Sequence, residues 1–564
     1  MSSSLWGDDF VVEKVAPKKI IKKAAKPKNV TEIKSTKNKK DIPFEDLIEK
    51  VKKEVYRILG KYAENTICIR DKDTLHSYID KAIINGEISI DTETNNSLDP
   101  ISCKLMGPCI YTPGQKQVYI PINHVNPKTL ERLDNQLTEQ DIADEFSRLK
   151  DTKIIMHNGK FDYKVIKCTC GIELKCYWDT MIAVRILNEN EKRAALKEQY
   201  HDKIDATDEK YDIEHLFQGL EYAKVDPELF ALYAATDAYK THLLYHWQLE
   251  QFNKPGNERI KDILLNIEMP VMPVAAEMEL TGVCIDSEYA KRLSDKYHKK
   301  LSNIQVQLQE QLIKYEEIIA TWRMTEEANF HPKSKRAKKD GTFGEQKSKN
   351  EQLKNPPELT SPTQLAILLY DVLKCPVVDT KAPRSTGEEQ LLKIEKETKN
   401  SLCHLILEQR GLEKLLSTYV DKIPQCVNPA DNRLHASFNQ VGTDTGRFSS
   451  QNPNLQNIPS HEKCIRLLFT AGPGKVFCGS DFSQQEPRLL SAFSGDESMI
   501  GAYKEGKDLY ATIAAGIYKN NYEDNLEKHP DGTPNPLGKK RRSSVKSVLL
   551  GKIHLPLYAV MHIE

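Results

Sequence analysis

At 564 residues the chain is too long for one hydrophobic core and implies about three or four domains or subdomains. Lysine plus arginine and aspartate plus glutamate both total 81, a balance that excludes a simple basic nucleic-acid coat but leaves room for local basic patches. No apolar leader or bilayer-length apolar run is present, so a soluble protein of the cytoplasm, without a membrane partner, is expected. The twelve cysteines are scattered, as suits a reducing compartment. Cys168, Cys170 and Cys176 cluster without C-x-x-C spacing, which leaves zinc as the alternative to free thiols.

Residues 1–42 hold eleven lysines and little apolar periodicity, and read as a disordered basic tail. Such an arm either holds DNA loosely through counterion release or serves only solubility. From about 60 to 250 the pattern is α/β. "EISIDTET" and "KIIMHN" are strand-like, and "LFALYAATDAYKTHLLYHW" spaces its apolar residues as a helix does. From about 260 the chain reads as mostly helical, broken or kinked at Pro270 and Pro273. A polar, lysine-rich, Gly/Pro-punctuated insertion within 324–358 reads as a mobile excursion, either laid along phosphates or simply solvated. Helical periodicity returns at "SPTQLAILLYDVL" and runs through "LILEQRGLEKLLSTYVDKI". "KVFCGSDFSQQEPRLLSAF" then reads as strand, turn and helix, with Pro487 in the helix's first turn.

Asp91 and Glu93 stand two apart on a strand and so share a face. Two carboxylates side by side repel one another unless a cation lies between them, which suits Mg²⁺ or Mn²⁺. Asn158 and Asp162 share a helical face if a helix begins there, and Tyr233 and Asp237 are one helical turn apart. In this order, D-x-E, N-x-x-x-D and Y-x-x-x-D resemble the proofreading 3′–5′ exonuclease domain of family A DNA polymerases. The resemblance implies an RNase H-like α/β domain with a mixed sheet. It also implies that Asp91, Glu93, Asp162 and Asp237 bind two divalent metals, while Tyr233 orients the attacking water. Two such metals about 4 Å apart serve both ends of an in-line displacement at phosphorus.

"VGTDTGRFSSQNPNLQNIP" and "GSDFSQQEPRLLSAFSGD" resemble two polymerase blocks of the same family, and the resemblance runs from about 65 to Gly551. It implies a mostly helical thumb over 260–430, followed at 431–551 by an incomplete α+β palm and the start of the fingers. It is closest to a Klenow-type arrangement, for which a bacteriophage source is expected. By this resemblance Asp481 is a metal ligand, Glu486 crowds the sugar 2′ position, and Arg447 probes the primer–template minor groove. "RRSSVKSVLLG" resembles the opening of the fingers helix, with Arg542 and Lys546 placed to hold the incoming deoxynucleoside triphosphate.

After Gly551 the resemblance stops. Pro556 is expected to break the helix, and "MHIE" matches the family's H-D-E motif only superficially. Residues 552–564 therefore read as a non-family tail, from an interrupted reading frame, a frameshift or a split polymerase whose C-terminal half is a separate partner. The functional expectation is a family A DNA polymerase polypeptide of DNA replication. It would act on primer–template and single-stranded DNA, with a working 3′–5′ exonuclease and no independent synthesis. The alternatives are a non-catalytic DNA-binding remnant and one half of a split polymerase.

Overall fold

"EISIDTET" forms strand β2 (Glu87–Thr94) over its whole length in the computed structural model. The structure describes residues 44–211, 213–330, 348–460 and 462–560, with side chains as far as Gly551. The expected basic tail, the lysine-rich stretch 331–347 and the closing "MHIE" lie outside the described residues. The chain divides into two units, 1–475 and 476–564, each described by itself.

In the first unit β2 lies inside a six-stranded sheet. The order is β1 (Thr66–Cys68), β4 (Gln117–Tyr119), β3 (Leu105–Tyr111), β2, β5 (Lys153–Met156) and β6 (Cys176–Asp179). β2 runs antiparallel to β3 and parallel to β5, so the sheet is mixed, as expected. Helices cover both faces, and the strands are accordingly apolar along most of their length. Even positions of β2 (Ile88, Ile90) enter the larger apolar cluster with α2 (Lys72–Asn85), α3 (Glu139–Phe146) and α4 (Gly159–Cys170). Odd positions face α8 (Pro227–Phe252), where Ser89 Oγ donates to the Ala238 carbonyl at 2.7 Å. α8 starts where its sequence says it should. Asp226 accepts the Glu228 and Leu229 N–H groups, and Pro227 occupies the first turn, where a missing N–H costs nothing.

The helical segment after 260 does not begin a separate body. Helix Met269–Thr281 places Met269, Met272 and Ala276 in the same apolar cluster as β2. Its Glu279 pairs with Lys160 and Lys164 of α4. Pro273 stays inside this helix, with a wider π turn at Leu264–Glu268 just before it. The turn is a local irregularity of the kind expected where proline removes ladder hydrogen bonds. A leucine-rich cluster then joins helices Ser287–Lys314, Glu388–Thr398 and Ser401–Leu415.

The mobile insertion expected over 324–358 is corrected at both ends. Helix Glu316–Asn329 covers its start. On the far side Ser348 and Glu351 form a capping box, and Arg323 donates to Asn350 Oδ1 and to the carbonyls of Leu353 and Lys354.

The second unit is helical: Gln485–Ser494, Glu497–Lys504, Leu509–Tyr518 and Pro536–Val560. Two expectations are corrected here. "KVFCGS" forms no strand; Val476 is 89% exposed and Phe477 64%. A strand needs a neighbour for its N–H and C=O groups, and the described residues supply none here. Pro556 does not end its helix, whose backbone runs on to Val560. No helix among the described residues is long and apolar enough to cross a membrane.

Candidate active site

The ladder explains how the carboxylates meet. β5 pairs with β2 only over Glu87–Ser89, so the N–H groups further along that edge are free for other partners. The chain leaves β5, turns at Asn158 and enters α4, whose Asp162 takes the Thr92 N–H at 2.8 Å and the Thr92 hydroxyl at 2.7 Å. Asn158 is not on the helical face with Asp162. It sits at the N-cap in the left-handed region (φ 60°), and its N–H is held by Asp179. Gly159 follows because a Cβ there would come within 2.6 Å of the Met156 Cβ.

Asp91 and Glu93 project from the odd face of β2, and Cys109 stands opposite Asp91 on β3. Ligand atoms of these three residues all lie within 4.8 Å of one another. α8 brings Tyr233 and Asp237 to the same place. Asp237 Oδ2 accepts from Lys197 Nζ at 2.8 Å, whereas Asp237 Oδ1 is buried without a hydrogen-bond partner. The Lys197 ammonium, from α6 (Leu196–Lys203), also lies 4.7 Å from the Tyr233 ring centre and 4.9 Å from that of Tyr211.

The electrostatics follow from this packing. Burial, then the charges of Asp162, Glu93 and Asp237, push the Asp91 carboxyl well above its usual range. Glu93 is pushed up to about 8 by burial and the Asp237 charge, with Lys197 opposing. Burial lifts Asp162 to about 7 against the pull of its two Thr92 hydrogen bonds. Burial, followed by the Glu93 and Asp237 charges, keeps the Tyr233 phenol neutral. The Cys109 thiol is held protonated in the same way, so the donors on offer are carboxylate oxygens.

Four carboxylates against one ammonium, with an orphaned buried oxygen, fit hard divalent cations that take oxygen ligands. Sequence spacing found the four acids and Tyr233. It missed Lys197, Tyr211 and Cys109, which arrive through α6, a loop and β3 and carry no motif. Thr92 was visible between the two acids, but its grip on Asp162 was not.

The residues expected in the polymerase region are differently placed. In the first unit Arg447 lies exposed in the turn between short strands Ser437–Asn439 and Ser449–Gln451. In the second, Asp481 is exposed in an irregular segment, and Glu486 is half-buried in the first turn of its helix. Arg542 donates to Asp508 (3.1 and 2.8 Å) and to Glu527 (3.0 Å), so carboxylates already occupy its fork. Lys546, one turn on, is exposed.

Residues 66–251 match the family described as 3′-5′ exonuclease, and residues 329–531 match DNA polymerase family A. The chain is 30% identical over 505 residues to DNA polymerase I of Chloroflexus aurantiacus, covering 86% of this chain and 46% of that one. It is 30% identical over 441 residues to DNA polymerase I of Borreliella burgdorferi, covering 77% and 42%. The chain thus spans less than half the length of these relatives. Among solved structures, the POL domain of Pol1 from M. smegmatis, in complex with DNA primer-template and dNTP, shares the fold. Its TM-score is 0.60 at 19% identity, over 85% of this chain and 69% of that one. Residues 66–251 are therefore homologous to the 3′–5′ exonuclease domain, and residues 329–531 to the family A polymerase region, that DNA polymerase I carries.

Proposed function

We propose that the chain removes nucleotides from DNA 3′ ends at the cluster of Asp91, Glu93, Asp162 and Asp237. The observation that carries this reading is the convergence of four carboxylates around a buried, unpartnered Asp237 oxygen. These residues would hold two divalent cations, Mg²⁺ or Mn²⁺, which when bound supply an activated water and neutralise the leaving oxygen. Tyr233 is neutral at physiological pH, so its hydroxyl both donates and accepts and suits it to orienting that water. Thr92 fixes one Asp162 oxygen and leaves the other available. Lys197 balances the charge of Asp237.

In the polymerase region the proposed roles are Asp481 as a cation ligand, Glu486 at the sugar, Arg447 at the duplex, and Arg542 and Lys546 at a deoxynucleoside triphosphate. No independent synthesis is proposed for this chain. Asp481 lies on an exposed, irregular segment, and the Arg542 fork is satisfied by Asp508 and Glu527. The proposed substrates are single-stranded DNA and primer–template, the proposed setting is a host cytoplasm, and the proposed source is a bacteriophage.

The test is degradation of single-stranded DNA labelled at either end. A 5′ label is expected to yield a ladder shortening from the 3′ end, dependent on Mg²⁺ or Mn²⁺ and abolished by Asp91→Ala. DNA binding without cleavage would instead support a non-catalytic DNA-binding chain.

A further inference from the structure

Helix α8 presents H-x-x-x-H, His242 and His246, one turn apart, and β2 brings Glu87 against them. His246 Nε2 lies 3.0 Å from Glu87 Oε1 and 2.9 Å from His242 Nε2, while His242 Nε2 lies 3.4 Å from the same carboxylate oxygen. The three donor atoms thus form a nearly equilateral triangle.

Protons alone do not satisfy this triangle. A single proton on His246 Nε2 is shared between two acceptors. Without it, two imidazole lone pairs face each other or the carboxylate. A cation at the centre makes all three contacts attractive. Four-coordinate zinc, with bonds of about 2.0–2.2 Å to imidazole and carboxylate, places its ligand atoms about 3.3 Å apart, close to the spacing found here. Two imidazoles and one carboxylate favour zinc-class transition cations over Mg²⁺.

We propose that Glu87, His242 and His246 form a binding site for a zinc-class divalent cation, which ties the start of β2 to the middle of α8. The fourth ligand is water, reaching the site from the side where the His246 side chain is 45% exposed. The site is separate from the carboxylate cluster. Glu87 precedes Asp91 by four strand residues, about 13 Å, and the Ser89–Ala238 hydrogen bond lies on the seam between them. Its placement gives it a structural role, because β2 and α8 also carry Asp91, Glu93, Tyr233 and Asp237. The inference stands whether or not the carboxylate cluster cleaves DNA.

The test uses the full chain with Asp91→Ala, which weakens the carboxylate site, stripped with a chelator and titrated with Zn²⁺ against a chromogenic competitor. About one tight equivalent is expected, with a rise in melting temperature on zinc addition. Co²⁺ should give four-coordinate visible bands without thiolate charge-transfer absorption. His246→Ala, at a half-exposed position, and Glu87→Gln should weaken uptake by more than the roughly 10–100-fold typical of losing an outer-sphere partner. They should also abolish the zinc-induced melting shift, compared within each variant so that any intrinsic loss of stability cancels. Equal uptake and equal shift in parent and variants, no tight equivalent in the parent, or a thiolate spectrum would overturn the proposal.

Discussion

The carboxylate cluster of the first unit and the second unit both carry acidic residues that the family resemblance marks for cation chemistry, yet the fold treats them in opposite ways. Glu93, Asp162 and Asp237 are 8%, 2% and 7% exposed, on a strand and two helices whose positions are fixed by the ladder and by Thr92. Asp481 is open to solvent on a segment that joins no sheet. Burial, not residue type, creates the difference. Removed from water, neighbouring carboxylates raise one another's pKa and are poised to take cations, whereas an exposed carboxylate has lost no hydration and gains little by binding one.

The comparison breaks most visibly when an acid is removed from each region. Asp91→Ala is expected to lower 3′-nucleotide release by about 10³-fold, the scale on which loss of a transition-state charge partner acts. A steady-state assay with saturating Mg²⁺ measures this, and a loss of only a fewfold would show that cation binding does not depend on the buried cluster.

A large effect is also expected from pH. The folded chain holds protons on Glu93 (up to about 8, against an ordinary 4.5) and Asp162 (about 7) more tightly than the unfolded chain does. Raised carboxyl values favour folding at low pH, so this contribution is full below the unfolded values of about 4 and is lost progressively from there until pH has passed about 7 to 8. In chelator, denaturant midpoints should therefore fall over that window, and Mn²⁺ should restore more stability at pH 8 than at pH 5. A cation effect independent of pH would contradict the coupling.

Smaller changes sharpen the picture. Tyr233→Phe removes one neutral hydroxyl and is expected to cost roughly tenfold in turnover, the size of one hydrogen bond. Lys197→Met removes the ammonium that neutralises Asp237, so the Mg²⁺ concentration at half-maximal activity is expected to fall, as seen by metal titration. If it rises instead, Lys197 acts on the substrate and not as a stand-in cation.

Much of the first region was legible in sequence because its signals are local. All eight residues of β2 were read as a strand, and Tyr233 and Asp237 were placed on a helix by their spacing. The H-x-x-x-H of α8 was also on view in "THLLYHW", but its partner Glu87 is 155 residues earlier, and only strand–helix packing brings them together. Lys197 was invisible for the same reason. The strand expected at "KVFCGS" failed because strand pattern without a partner fixes no structure; its apolar residues are those of a buried strand, yet Val476 and Phe477 lie exposed.

The central claim is that catalysis depends on the buried cluster and not on the exposed polymerase-region acid. The most direct test is Mg²⁺-dependent shortening of 5′-labelled single-stranded DNA from its 3′ end by the parent chain, Asp91→Ala and Asp481→Ala, side by side. The account predicts a loss of about 10³-fold for Asp91→Ala and a rate within about twofold of the parent for Asp481→Ala, as for a surface substitution. Equal rates for the parent and Asp91→Ala, or a matching collapse in Asp481→Ala, would contradict it.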